Sequence, residues 1–164
     1  MPNERAQIVM TEAEIQQFLV ESRVATLATN GPSGYPHQVA MWYGIVDGRV
    51  CFETKAKSQK AVNLRRDPKL SISVEGGDSY DQLRGVAIDG HARIVDDTTD
   101  PLYWAAAISV FERYQAPYTE EMRPAVEYMM NKRVVVIVEP VRIRSWDHRK
   151  LGIAGYPEPA QSTA

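Results

Sequence analysis

The sequence predicts a mainly β (α+β) fold, a six-stranded antiparallel barrel with about four helices packed outside it. Apolar and polar residues alternate in short runs, most clearly at Leu70, Ile72 and Val74 against Ser71, Ser73 and Glu75. Turn signals follow most runs within a few residues, leaving no room for the crossover helices of a parallel sheet. The chain has 164 residues, 44% hydrophobic and 24% charged, which suits one ordinary globular core. Residues 1–164 therefore read as a single domain, with flexible tails expected at 1–9 and 155–164.

Thr11 and Glu14 make a capping box, and Ile15, Phe18 and Leu19 follow at helical spacing, so residues 12–22 read as a helix. The first strand, Val24–Thr29, ends at Asn30-Gly31-Pro32-Ser33-Gly34. The second, Pro36–Tyr43, runs to the hairpin signal Asp47-Gly48, and Arg49–Thr54 returns, giving an antiparallel meander. Ser58 caps a helix over 58–67 that Pro68 stops. Strands follow at 70–75 and, after the polar loop Gly76–Asp81, at Gly85–Val95. Asp96–Asp100 supplies a cap for helices over 101–114 and 120–132. The last strand, Val134–Trp146, carries Pro140, which marks a bulge or a sheet edge.

Composition excludes several functions. Nineteen basic against twenty-one acidic residues argue against a nucleic-acid coat, which draws its affinity from excess Lys and Arg. The N-terminus has no apolar signal run, and the densest apolar stretch, Val134–Val138, is far below the roughly 20 residues of a membrane span. A cytoplasmic protein without membrane or nucleic-acid partners is the expectation. One cysteine, Cys51, allows no internal disulfide, and His37, His91 and His148 lack metal-ligand spacing, so no metal is expected. Gly31-Pro32-Ser33-Gly34 is not a nucleophile elbow, and Asp96, Asp97 and Asp100 lack the spacing of a calcium loop.

The informative segment is 55–66, with five cations and no acid. Arg65 and Arg66 complement the negative end of their helix. Lys55, Lys57 and Lys60 instead surround its N-terminus, at a cost of ~0.3–1 kcal/mol apiece at low salt. An anion bound there, helped by Ser58, would offset it. The residues alone leave this open between a phosphate site and a solvated face. Neither a P-loop nor a Rossmann fingerprint is present. His37, Val39 and Met41 share one face of the second strand, so a flat ring with a phosphate tail fits a ligand lying along it.

Ala25-Thr26-Leu27-Ala28-Thr29, Gly34-Tyr35-Pro36-His37, Met41-Trp42-Tyr43, Phe52-Glu53-Thr54 and the run from Lys57 to Pro68 occur in an order that resembles the pyridoxamine 5'-phosphate oxidase-like split β-barrel superfamily. The chain is most similar to its actinobacterial branch that uses the deazaflavin coenzyme F420. Asp78 to Val86 and Arg144 to Leu151 resemble a mycobacterial-type subgroup of that branch. The resemblance spans about residues 8–151. It implies an FMN-binding-protein-like split barrel and a homodimer with cofactor sites between protomers. It places His37, Val39 and Met41 under the ring, and Thr54, Lys57, Ser58 and Lys60 around the phosphate, to which the charge pattern adds Lys55. Trp146 and Arg149 match a C-terminal Trp and Arg that reach the site in the oxidase branch.

The expected activity is reduction of a small organic molecule by hydride transfer from reduced F420. The second strand, His37-Gln38-Val39-Ala40-Met41-Trp42, lacks the basic residues of vitamin B6 oxidases, which argues against pyridoxamine phosphate and against FMN. An FMN-dependent reductase or oxidase and a non-catalytic F420 carrier are the alternatives. His37 and Tyr80 are candidate proton donors, and solvent is a third source. His37 also reads as a satisfied strand histidine, Tyr80 and Arg84 either as substrate contacts or as braces of a loop against the partner chain, His91 as a solvent-face residue, and Met129 and Met130 as helix core.

Overall fold

In the computed structural model of the chain, residues 4–153 are described. Seven strands, β1 (Ala25–Asn30), β2 (Pro36–Met41), β3 (Gly44–Val46), β4 (Arg49–Lys55), β5 (Lys69–Gly76), β6 (Arg84–Val95) and β7 (Arg133–Asp147), form one antiparallel sheet. Its order is β2-β1-β5-β6-β7-β4-β3. The helices are α1 (Glu4–Gln7), α2 (Glu12–Glu21), α3 (Gln59–Arg66), α4 (Pro101–Tyr114) and α5 (Arg123–Met129).

The sheet order dictates the shape. β2 and β3 lie at opposite edges, yet only Trp42 and Tyr43 separate them in sequence. Laid flat, seven strands would be roughly 29 Å wide. Three chain steps reach roughly 11 Å. The sheet must therefore curl until its edges approach. No ladder joins β2 to β3, so the barrel stays open along that seam. This is the split barrel expected from the sequence.

The expected strand Pro36–Tyr43 is broken after Met41, which raises the strand count from six to seven and replaces the simple meander with the order above. Side chains of α4 take the backbone of Tyr43 out of any ladder. Tyr43 N donates to the Tyr114 hydroxyl at 3.0 Å, and Arg113 Nε donates to Tyr43 O at 2.9 Å. The Tyr43 ring is fully buried, and burial pushes its hydroxyl up to about 12. The Asp47-Gly48 turn stands as expected, joining β3 to β4 with both residues at positive φ (50° and 71°), as a tight hairpin requires.

Two apolar clusters sandwich the sheet. Leu27, Phe52, Ile72, Val86 and Val136 fill the barrel with Phe18 and Leu19 of α2. Tyr103, Ala107 and Phe111 of α4 cover the outer side with Val126, Cys51, Val135 and Ile137. The start of β7 is thus buried on both faces, which accounts for its unbroken apolar run. Each such Val or Ile contributes ~1.5–3 kcal/mol on burial. The β6–β7 register shifts at Asp89/Gly90 opposite Pro140, the bulge that proline marks.

Other boundaries moved by small amounts. The expected helix over 120–132 is a 3-10 turn, Glu120–Met122, followed by α5. The expected flexible start at 1–9 carries structure over its described part. It holds α1, and Ile8 O accepts from Asp147 N at 2.7 Å. Residues 155–164 lie outside the described residues. No helix among the described residues is long and apolar enough to cross a membrane.

Candidate functional site

Helix α3 closes one end of the barrel. Ser58 caps it, its Oγ accepting from Ala61 N at 3.3 Å and lying 3.0 Å from Thr54 Oγ1. The first turn holds no acid. Asn63, fully buried in mid-helix, donates to Thr29 Oγ1 at 3.0 Å and accepts from Gln59 Nε2 at 2.8 Å. Thr29 is the β1 partner of His37, so His37 shares this inner face of the sheet. Its Nδ1 is sealed from solvent and meets no partner among the described residues. A buried nitrogen without a partner costs about 1–3 kcal/mol, which a ligand's polar atom would relieve.

Lys60 is half-buried, and that burial lowers its pKa from the ordinary lysine value. Glu53 opposes the shift and Arg133 adds to it. Glu53 is already held by Arg133 Nη1 at 2.5 Å across β4 and β7. Lys60 itself forms no ion pair among the described residues. An unpaired, partly desolvated ammonium beside an acid-free helix start fits a phosphate group.

The other lysines are less suited. Lys55 Nζ donates to Asn131 O at 2.9 Å, which pins the turn before β7, and Lys57 stands exposed. Arg65 donates to Ala56 O at 2.6 Å and Arg66 to Asn30 O, so both tie loops to the helix. Val39 and Met41 point inward with His37 and pack against the barrel core, half-buried. Met41 also lines a cleft of about 410 Å³ along the open seam, with Trp42, Glu53, Tyr114, Met129 and Arg133. That cleft joins the end of β2 to the charged pair beside Lys60. Met130 is buried core, as expected, while Met129 borders the cleft.

Trp146 and Arg149 lie at the opposite end of β7 from Arg133. Arg133 pairs with Lys55, whereas Trp146 pairs with Gly85 and Asp147 with Arg84, so Trp146 and Arg149 sit beside the start of β6 and not beside the end of β4 that leads to α3. The Trp146 ring covers Gly85, where a Cβ would lie 2.3 Å from it. Arg149 makes a two-pronged contact with Asp147 (2.8 and 2.6 Å), holding that carboxyl below its usual range. Tyr80 meets His148 edge to face at 4.5 Å, and Tyr80 O lies 2.8 Å from His148 Nδ1. His91 is exposed on the outer face. Among the described residues no three His, Cys, Asp or Glu side chains gather as a metal site would need.

Sequence reasoning missed Thr29, Asn63, Glu53 and Arg133. Asn63 carried a usable signal, since it sits between Ala61 and Leu64 on the apolar face of α3, where an amide must find a partner. The Glu53–Arg133 pair joins residues 80 apart, which no local pattern reveals.

The chain is similar in structure to a conserved hypothetical protein of Mycobacterium tuberculosis, Rv2991. The two are 55% identical over 98% of each chain, with a TM-score of 0.91. A structure named as an F420 reductase is 29% identical over 78% of this chain and 94% of its own, with a TM-score of 0.57. The fold is also that of a heme storage protein of Vibrio cholerae, HutZ, at 17% identity over 83% of this chain and 96% of the other, with a TM-score of 0.65. No protein of curated function matches the sequence. Residues 11–147 match the family described as pyridoxamine 5'-phosphate oxidase, and with that span covering most of the chain, the protein belongs to this family.

Proposed function

We propose that the chain binds coenzyme F420 and reduces a small organic molecule with it. The observation that carries this reading is Lys60, half-buried at the start of α3 and in no ion pair among the described residues. Thr54 and Ser58 supply hydroxyls beside it, and the unsatisfied His37 Nδ1 supplies a further polar atom on the same face as Val39 and Met41. A phosphate-bearing flavin-type cofactor uses all of these groups. The similarity to an F420 reductase over 78% of the chain supports the deazaflavin over FMN.

The bound deazaflavin would supply the hydride. The chain's own residues would anchor the phosphate, hold the ring against β2 and keep water from it. Thr54 and Ser58 orient one another, so the hydroxyl pair is set before a ligand arrives. His37 is within the site to hold a proton, while Tyr80 packs against His148. A homodimer belongs to the same proposal, because Trp146 and Arg149 would have to come from a second copy. Exposed Val141 and Ile143 on β7, beyond its pairing with β4, support such a contact.

The test is a titration of cofactor-free protein with F420 and, separately, FMN, followed by steady-state oxidation of reduced F420 with candidate acceptors. Saturable F420 binding with turnover is expected. Binding of FMN alone would assign the protein to the flavin reading, and F420 binding without turnover to a carrier. Binding of neither would sink the proposal.

A further inference from the structure

The two halves of the candidate site stand on different elements. Ser58 and Lys60 belong to the start of α3, whereas His37, Val39 and Met41 stand on β2. β1 links them, since it pairs with β2 and places Thr29 opposite His37. α3 has only eight residues, too few to hold a helix by its own hydrogen bonds. Its Ala61 and Leu64 are buried, but apolar burial is non-directional. Such contacts keep a short helix on the barrel without fixing how far it slides or turns.

Asn63 supplies the missing direction. It is fully buried between Ala61 and Leu64, where an apolar side chain would gain more from burial. A buried amide costs free energy unless it is paired. This one is paired at both ends: Nδ2 donates to Thr29 Oγ1 at 3.0 Å, and Oδ1 accepts from Gln59 Nε2 at 2.8 Å. Thr29 is itself buried, so the Asn63–Thr29 bond forms away from water, where it is stronger. Gln59 lies between Ser58 and Lys60 in the chain. One amide therefore joins the start of the helix to the β1 residue that faces His37.

The geometry points to Asn63 as a positioning residue: with Thr29 it fixes α3 against β1, and so sets the spacing between the phosphate end and the ring end of the site. What those two ends hold rests on the cofactor reading above. A ligand that engages both ends needs that spacing, and a ligand that engages one end does not. Asn63 acts through Ser58, Lys60 and His37.

The test cuts the tie from the strand side. Thr29→Val keeps a β-branched residue suited to a strand and removes the hydroxyl, whereas Thr29→Ser keeps the hydroxyl. The full chain and its variants are titrated with F420, which would span both ends, and with inorganic phosphate, which would occupy one. F420 affinity should fall about tenfold in Thr29→Val, the scale of one lost hydrogen bond, and recover in Thr29→Ser. Phosphate affinity should be the same in all three. Asn63→Ala should repeat the Thr29→Val pattern. Amide NMR without ligand gives a second reading: the α3 signals should move in Thr29→Val, and those of α4 should stay in place.

Unchanged F420 affinity in Thr29→Val, an equal loss for phosphate and F420, or no recovery in Thr29→Ser would overturn the inference. So would α3 signals that stay in place once the tie is cut. If the parent chain does not bind F420, the cofactor reading fails, and the α3 signals alone decide whether Asn63 sets the helix. If Thr29→Val does not fold, Asn63→Ala carries the same comparison from the helix side.

Discussion

Thr54 and Ser58 face one another across the start of α3, their hydroxyl oxygens 3.0 Å apart, while Ser58 also caps the helix. One side chain therefore serves both the fold and the candidate site. Ser58→Ala should cost about 0.5–2 kcal/mol in stability, the usual loss for an N-cap, and should weaken F420 binding as well. Ser58→Asp would keep the cap but place a negative charge where the phosphate is proposed. Denaturant unfolding and F420 titration of the two variants separate the roles.

Lys60 allows a sharper separation. Lys60→Ala should weaken F420 binding by about 1.5–3 kcal/mol, as for a lost charge-assisted hydrogen bond, with the melting temperature unchanged or raised. Arg65→Ala, at the other end of α3, should leave affinity alone. Burial lowers the Lys60 pKa in the free protein, and a bound phosphate would raise it. Affinity should then hold at neutral pH and fall as the pH rises from the free toward the bound value. That decline should begin below the ordinary lysine value of about 10.4, and Lys60→Arg should remove it.

This is also where the sequence was most and least legible. The acid-free start of α3 and its cap were readable because helix ends depend on residues three or four apart. The burial of Lys60 and the Glu53–Arg133 pair beside it depend on β4 meeting β7, a pairing set by sheet order. The Trp42–Tyr43 break was missed for a similar reason. Local β-propensity continues through both residues, and only Arg113 and Tyr114, some 70 positions later, take the Tyr43 backbone out of the ladder.

Asp147 should govern part of the acid response. Its contact with Arg149 lowers its pKa in the folded chain. Its stabilising contribution is then complete above the unfolded value of about 3.9 and is lost as the pH falls through the lower folded value. Asp147→Asn should flatten the stability profile over that acid window. Equal slopes for the variant and the parent chain below pH 4 would contradict this.

Gly85 tests the packing of Trp146. A methyl group there would meet the indole at 2.3 Å, so Gly85→Ala must displace the ring or part β6 from β7. We expect a loss of roughly 1–3 kcal/mol with a red shift in tryptophan emission. If Trp146 also reaches a cofactor in a second copy, F420 affinity should fall in the same variant.

Cys51 should be inert. It is fully buried between the sheet and α4, and burial pushes its thiol up to about 12. A disulfide reagent should leave the native protein unlabelled at neutral pH and label one thiol per chain in denaturant. Fast native labelling would mean that α4 lifts from the sheet.

The corner at Trp42 and Tyr43 has one more consequence. Two residues are a strap of fixed length between the first and last strands of the sheet, so the width of the seam is set by covalent geometry as well as by packing. Extra residues at this corner would let the two margins drift apart, slackening the barrel and widening the cleft together. The Gly31–Gly34 reversal at the other end of β2 spans no seam, and the same insertion there would add only a longer loop.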